Sequence, residues 1–383
     1  MIHPIRITIF AFSIVVAAHG EWERGSRSLL TNFDNMYNPC VVETGGVYRY
    51  RMWFFGWAAG HSNPDVPGSD AIFHARSKDL KSWEVYSEGG KWDRDMAPGK
   101  WKPVLHASER WYASWHVGDP SVVFKEGRYY MAYSATSKHF GKIPGYPTGM
   151  VQCVMGAVSD DGVQWNTTHQ PLLIRAADTP IPKPDPTRIG DFHRPSLHWQ
   201  DGKWKLWFDY WLTGKGVCMG YAENSGEFTD KGGFTIRHEL RKPLLQHWPN
   251  PEVIRIGNKY HCFADPPGFP TKPGESHWKS RQLRVAVSND GLSWKRLAFI
   301  PPDKDADACH VPQALVTRID GNEWLYLFYA TQIGYRKNDG KNHYQYDRIR
   351  AMRRVVRKDG IGTVHPAKEG RKVKPTTSQD TNR

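Results

Sequence analysis

The chain has 383 residues, 13% of them aromatic, and a formal net charge of +13. Beyond the first twenty residues no segment is long and apolar enough to span a bilayer, and helical periodicity is nearly absent. Five cysteines, Cys40, Cys153, Cys218, Cys262 and Cys309, have neither the even count of a disulfide framework nor the short spacings of a zinc site. Buried small hydrophobes are the simpler reading for most of them, with a single disulfide left open.

Residues 1–20 read as a secretory signal peptide. Arg6 gives a positive start, residues 7–18 an apolar run, and Val16-Ala17-Ala18-His19-Gly20 small residues for cleavage. The rest is therefore expected to be exported, secreted or periplasmic, with no stable membrane insertion once the signal is removed.

From there one pattern is written five times. Asn38-Pro39-Cys40-Val41 leads to Gly46 and Tyr48-Arg49-Tyr50-Arg51-Met52-Trp53-Phe54. Asp119-Pro120-Ser121-Val122 leads to Gly127 and Arg128-Tyr129-Tyr130-Met131. The others start at Arg194-Pro195, Asn250-Pro251 and Val311-Pro312 and turn at Gly202, Gly257 and Gly321. Each reads as a strand opened by proline, a glycine turn and an aromatic-rich return strand. A third element, Ser-x-Asp followed four residues later by Trp, closes three copies: Ser77 to Trp83, Ser159 to Trp165 and Ser288 to Trp294. In the third copy Asn224-Ser225-Gly226-Glu227-Phe228 takes its place.

Length alone would suggest two domains, but evenly spaced repeats leave no linker. They predict one all-β domain, a five-bladed β-propeller over residues 21–356, in which stacked blades supply the core. Residues 21–37 are placed to pair with the last blade and close the ring. Long insertions at 84–117, 171–192 and 266–280 carry Trp, His and Pro and suit loops around a channel mouth. About half of their aromatics are expected only to pin the loops down. Residues 357–383 read as a disordered basic tail. Nucleic acid is a partner class such charge allows, but no nucleic-acid motif is present. An anionic polysaccharide or cell-wall polymer suits an exported chain better.

In a propeller the residues around each opening proline converge on one end of the channel. That set comprises Asp34 and Asn38, then Trp115, His116 and Asp119, then Asp191, His193 and Arg194. Asn250 and Glu252 follow, and finally Asp305, Asp307, His310 and Gln313. Acidic groups from several blades at one mouth can share the acid and base roles of glycoside hydrolysis, the acid needing a raised pKa.

Asp119-Pro120-Ser121-Val122 running to Gly127, with the recurrent Ser-x-Asp-Gly-x-x-Trp, resembles the five-bladed propeller glycosidases of family 43 and its relatives in families 32, 62, 68 and 117. The resemblance covers nearly all the chain after the signal and is a blade pattern more than a family signature. It implies Asp119 as the base and Glu252, which follows its proline, as nearest to the acid. Asp34 and Asp191 are further catalytic candidates, because Asn38 stands where an Asp is expected. From their place at the strand mouths and on the loop before them, His193, Arg194, Trp115, His116, Asn38 and Gln313 are read as substrate-binding residues. The resemblance also implies His310 near a possible structural calcium, with no cofactor required for hydrolysis. Asp119 and Glu252 on non-adjacent blades predict carboxyl groups about 6.5–9.5 Å apart and inversion.

Three functions follow: an exported glycoside hydrolase acting on plant or algal poly- or oligosaccharides, a phosphorylase of the family 130 kind holding phosphate with Arg194, His193, Lys215 and His310, and a non-catalytic glycan-binding propeller.

Overall fold

The computed structural model describes residues 22–30, 36–57, 70–94, 100–137, 151–175, 189–212, 214–229, 233–265, 282–306, 308–333 and 346–356. The signal, the tail, Asp34 and Asp307 lie outside them.

Five antiparallel sheets form in chain order. Blade 1 is Tyr37–Glu43, Tyr50–Trp57, Asp70–Ser77 and Trp83–Tyr86, with Trp92–Asp93 at its edge. Blade 2 is His116–Lys125, Arg128–Thr136, Gln152–Ser159 and Asn166–Thr167. Blade 3 runs from Ile189–Gln200 through Lys203–Leu212 and Gly216–Asn224 to Thr235–Ile236. Blade 4 is Glu252–Ile256, Lys259–Ala264, Leu283–Ser288 and Trp294–Ile300. Blade 5 is Ala308–Ile319, Asn322–Gln332 and Asp347–Val355. Its fourth strand is Glu23–Arg24, paired with Arg353 and Met352. The chain start thus closes the ring, as its position ahead of the first repeat predicts.

The core lies between blades, which is why no repeat stands alone. Phe54 and Phe73 pack on Leu315 and Phe328 between blades 1 and 5. Trp53 and Ile72 meet Met131 and Tyr133, and Val154 meets Leu206 and Phe208. Trp207 and Met219 meet Val253 and Ala286, and Phe263 and Val285 meet Leu325 and Leu327. Each such side chain contributes about 1.5–3 kcal/mol on burial.

The repeated residues have separable jobs. Gly46, Gly127, Gly202, Gly257 and Gly321 all sit at positive φ in the hairpin turns, where a side chain would be strained. In the Ser-x-Asp turns, Ser159 Oγ accepts the amides of Asp161 and Gly162, and Asp161 Oδ1 accepts those of Val163 and Gln164. Trp165 Nε1 then donates to the Gly162 carbonyl. Ser77-Asp79-Trp83 and Ser288-Asp290-Trp294 repeat the bonds. In blade 3, Asn224 binds the Gly226 amide and the Glu227 carbonyl, and Phe228 fills the place of the tryptophan.

The residue after each opening proline forms a girdle. Cys40 Sγ accepts the Val122 amide at 3.2 Å, Ser121 Oγ that of Leu197 at 2.8 Å, and Ser196 Oγ that of Val253 at 3.0 Å. Glu252 Oε1 accepts the Ala314 amide at 3.1 Å, and Gln313 Oε1 accepts the Val41 amide at 2.9 Å. Every blade is therefore tied to the next by one side chain on its innermost strand.

All five cysteines are buried thiols, none of them joined in a disulfide. No helix among the described residues is long and apolar enough to cross a membrane.

Candidate active site at the channel mouth

The residue before each opening proline has left-handed backbone: Asn38 (φ 48°), Asp119 (50°), Arg194 (46°), Asn250 (51°) and Val311 (44°). In blades 1, 2, 3 and 5 the ladder shifts register there, between Tyr37 and Cys40, Gly118 and Ser121, His193 and Ser196, and His310 and Gln313. Such a bulge re-aims side chains, and each strained residue costs about 1–3 kcal/mol. Neighbouring blades hold the strained amides: Ser134 Oγ accepts that of Arg194 at 2.9 Å and Asp209 Oδ2 that of Asn250 at 3.0 Å. Asp265 accepts the Val311 amide. The strain is thus built into the mouth, where innermost strands start, second strands end and third strands start.

Asp119 is the centre of this arrangement. It is buried, with Asn38 Nδ2 donating to Oδ1 at 2.5 Å and His193 Nε2 3.3 Å from Oδ2. Three blades therefore meet on one carboxyl group. Burial, and next the adjacent Arg194, push the pKa of His193 down, so a neutral ring faces the carboxylate. Arg194 is paired with Asp209 at 3.2 Å. Burial pulls its pKa down, but Asp209, Asp119 and Asp265 together outweigh that and raise it.

A second carboxyl group stands beside Asp119. Asp70 opens the third strand of blade 1 opposite Trp57, and its Oδ2 lies 3.5 Å from His116 Nδ1. Burial first, then the like charge of Asp119, raise its pKa from 3.8 to about 8, against a hydrogen bond from Trp57. A carboxyl group whose surroundings favour its protonated form, electrostatically coupled to another acid, is what acid–base chemistry needs. Sequence reasoning missed Asp70, along with Asp209, Asp265 and Asp347. The available signal was a lone Asp inside or abutting an apolar strand, as in Trp207-Phe208-Asp209-Tyr210, where a charge is rarely tolerated without a task.

The other sequence candidates are distributed as follows. Glu252 belongs to the girdle: Oε2 accepts from Ser196 Oγ at 3.1 Å, Oε1 from the Ala314 amide, and Gln313 also bonds it. Burial raises its pKa from 4.5 to about 8 despite those bonds. Gln313 has both amide ends engaged, with Nε2 donating to the Val41 and Ala314 carbonyls. Asp191 Oδ2 accepts the Gln152 amide at 2.9 Å, capping the third strand of blade 2. Burial pushes its pKa well up, against that bond and Arg175. Trp115 lies edge-on to His116, ring centroids 5.4 Å apart. In the same insertion Trp101 is buried against Phe54 and Phe73, and Trp92 meets His74 edge-on and lies under the Arg76 guanidinium. Those two only pin the loop.

His310 Nε2 is 3.1 Å from Asp347 Oδ1. Among the described residues no group of three or more His, Cys, Asp or Glu is arranged to hold a metal. Calcium takes six to eight oxygen ligands, so His310 and Asp347 alone do not fit it. Asp305 is exposed and pairs with Arg350 outside the mouth.

No protein-family model matches the chain, and no curated protein matches it either. Solved structures do match. One described as a glycoside hydrolase aligns at TM-score 0.56 and 14% identity over 94% of this chain and 96% of its own. Zg3597, a family 117 glycoside hydrolase from the marine bacterium Zobellia galactanivorans, aligns at 0.56 and 13% over 88% and 90%. An α-L-arabinanase of Cellvibrio cellulosa complexed with arabinohexaose aligns at 0.52 and 14% over 86% and 95%. At such identities the likeness is one of architecture. This chain is a five-bladed β-propeller of the kind seen in glycosidases of families 43, 32 and 117.

Proposed function

We propose that the protein is a glycoside hydrolase whose working base is Asp119, exported by the segment 1–20 and acting on plant or algal poly- or oligosaccharides. The observation that carries this reading is the convergence of Asn38, Asp119 and His193 from three blades on one buried carboxyl group beside a second acid. Packing has no use for such a set, and shared architecture with carbohydrate-cleaving propellers supports it.

With Asn38 Nδ2 donating to one Asp119 oxygen and the His193 ring 3.3 Å from the other, the group suits orienting and deprotonating a water better than forming a covalent bond to sugar, and hydrolysis proceeds with inversion. Arg194 and His193 border the sugar, with Trp115 and His116 at the rim. Arg194 is already engaged by Asp209, which disfavours the phosphorylase alternative, because a phosphate there would displace a carboxylate. The cup itself is rich in acid, with Asp119, Asp209 and Asp265 around one Arg194. The sugar bound there is neutral, and an anionic polymer would be attracted only by the net charge of +13.

Asp119→Asn is nearly isosteric and leaves the fold intact. It is expected to lower kcat/KM on a hydrolysed glycoside by at least ~10²-fold, the scale of positioned general-base catalysis. Unchanged turnover in a folded Asp119→Asn protein contradicts the assignment. Sugar binding by calorimetry with no product release in the wild type would favour a binding module.

A further inference from the structure

Hydrolysis with Asp119 as base requires a group that delivers a proton to the departing oxygen. Of the buried acids, Asp191 caps a blade 2 strand through the Gln152 amide and faces the Arg175 charge, which leaves two carboxyl groups to compete for the part. Glu252 is committed elsewhere: both its oxygens serve the blade-to-blade girdle, accepting from the Ala314 amide and Ser196 hydroxyl. Asp70 is placed differently. It lies at the mouth, opening a third strand, with a hydrogen bond from Trp57, His116 Nδ1 only approaching Oδ2 at 3.5 Å, and no hydrogen-bond partner for Oδ1 among the described residues. The groups facing it are Asp119 and His116 from blade 2 and Trp57 from its own blade.

We propose that Asp70, not Glu252, is the catalytic acid. This rests on the glycosidase reading. In the step, a water oxygen attacks the anomeric carbon while its proton passes to Asp119. The glycosidic C–O bond breaks, its electron pair stays on the leaving oxygen, and that oxygen takes the proton of Asp70. Asp119 ends protonated and Asp70 ionised, and exchange with solvent restores both. Burial and the charge of Asp119 keep Asp70 protonated at neutral pH, which is the state an acid must hold before the reaction.

The test compares wild type, Asp70→Asn and Glu252→Gln, as full chains, on two aryl glycosides of one cleaved sugar. Phenol is a poor leaving group that needs a proton, and 2,4-dinitrophenol leaves without one. Asp70→Asn is expected to lose at least ~10²-fold in kcat/KM on the phenyl glycoside but only a few-fold on the dinitrophenyl one. The alkaline limb of its pH profile is expected to vanish, whereas Glu252→Gln keeps both. Equal losses on both substrates in Asp70→Asn, or leaving-group dependence in Glu252→Gln instead, overturn the proposal.

A second readout needs no turnover. Carbon-13 NMR of labelled Asp carboxyls should show a group still protonated at pH 7 that is absent in Asp70→Asn and titrates lower in Asp119→Asn, whereas the signal of the other buried acid, Asp191, stays in both variants. An ionised Asp70 at pH 7 overturns the proposal even if hydrolysis is found. If no glycoside is cleaved while Asp70 titrates as described, the glycosidase reading fails instead.

Discussion

Replacing Glu252 by Gln separates a girdle residue from a catalytic acid by stability as well as by rate. Glu252 is fully enclosed, and burial raises its pKa from 4.5 to about 8. The folded chain therefore keeps this proton to higher pH than the unfolded chain does. Its stability is complete below about 4.5 and falls as pH rises through 8. At about 1.4 kcal/mol per pH unit, the ceiling of that loss is about 5 kcal/mol. Local relaxation should leave ~1–3 kcal/mol, in line with effective interior dielectrics well above those of dry protein. Glutamine stays neutral and keeps one acceptor oxygen for the Ala314 amide, while its NH2 faces the Ser196 hydroxyl, which can turn to accept, so it mimics the protonated acid with its one O–H donor. Near pH 4 the variant should melt with wild type. Near pH 9 it should be the more stable protein by roughly 2–4 °C, taking an unfolding entropy of about 0.7 kcal/mol/K for a chain of this size. Asp70 titrates over a similar range in both proteins and cancels from the difference. Circular dichroism melts at pH 4, 7 and 9 provide the comparison. A variant less stable than wild type at pH 9 would refute the reasoning, since it would mean that the ionised carboxylate stabilises the fold.

Two further perturbations test the architecture. Arg350, nearly buried, pairs with Asp303 at 3.1 Å and with Asp305 at 2.7 Å, while Arg24 and Tyr329 also reach Asp303. Arg350→Met strands part of the buried Asp303 charge where the chain start closes the ring, and should cost about 3 kcal/mol in urea unfolding. A cost below ~1 kcal/mol would show that Arg24 and Tyr329 suffice. Gly162 has φ 78°, and an added Cβ would meet Trp53 Cζ2 at 2.7 Å, whereas Gly321, at φ 79°, has nothing within 4 Å. Gly162→Ala should therefore lose more stability than Gly321→Ala, where only the backbone cost of about 1 kcal/mol applies. Equal losses on thermal melting would contradict the packing argument.

The repeats made the blades legible because each proline, glycine and Ser-x-Asp turn carries a backbone requirement that only a few residue types meet. Asp119 was legible for a related reason: it stands before a proline at a strand mouth. Glu252 looked equally placed but lies one residue after its proline. There the task is to accept an amide from the next blade, and Cys40, Ser121, Ser196 and Gln313 do it with other chemistry. A position filled by a thiol, two hydroxyls, a carboxyl and an amide leaves no motif. Asp70 was hidden because His116 and Asp119 lie on the next blade, some 46 to 49 residues on, and only the packing of blade 2 against blade 1 brings them to it. Asp34 and the insertion at 266–280 lie outside the described residues.

Proton NMR of the wild-type reaction, recorded from the first minutes on a panel of neutral glycosides in phosphate-free buffer, bears most directly on the central claim. A reducing sugar should appear without added phosphate, and its first-formed anomer should be inverted relative to the substrate. Retention would remove Asp119 as a base acting through water. A sugar 1-phosphate formed only when phosphate is supplied, or no released sugar at all, would contradict the hydrolase itself.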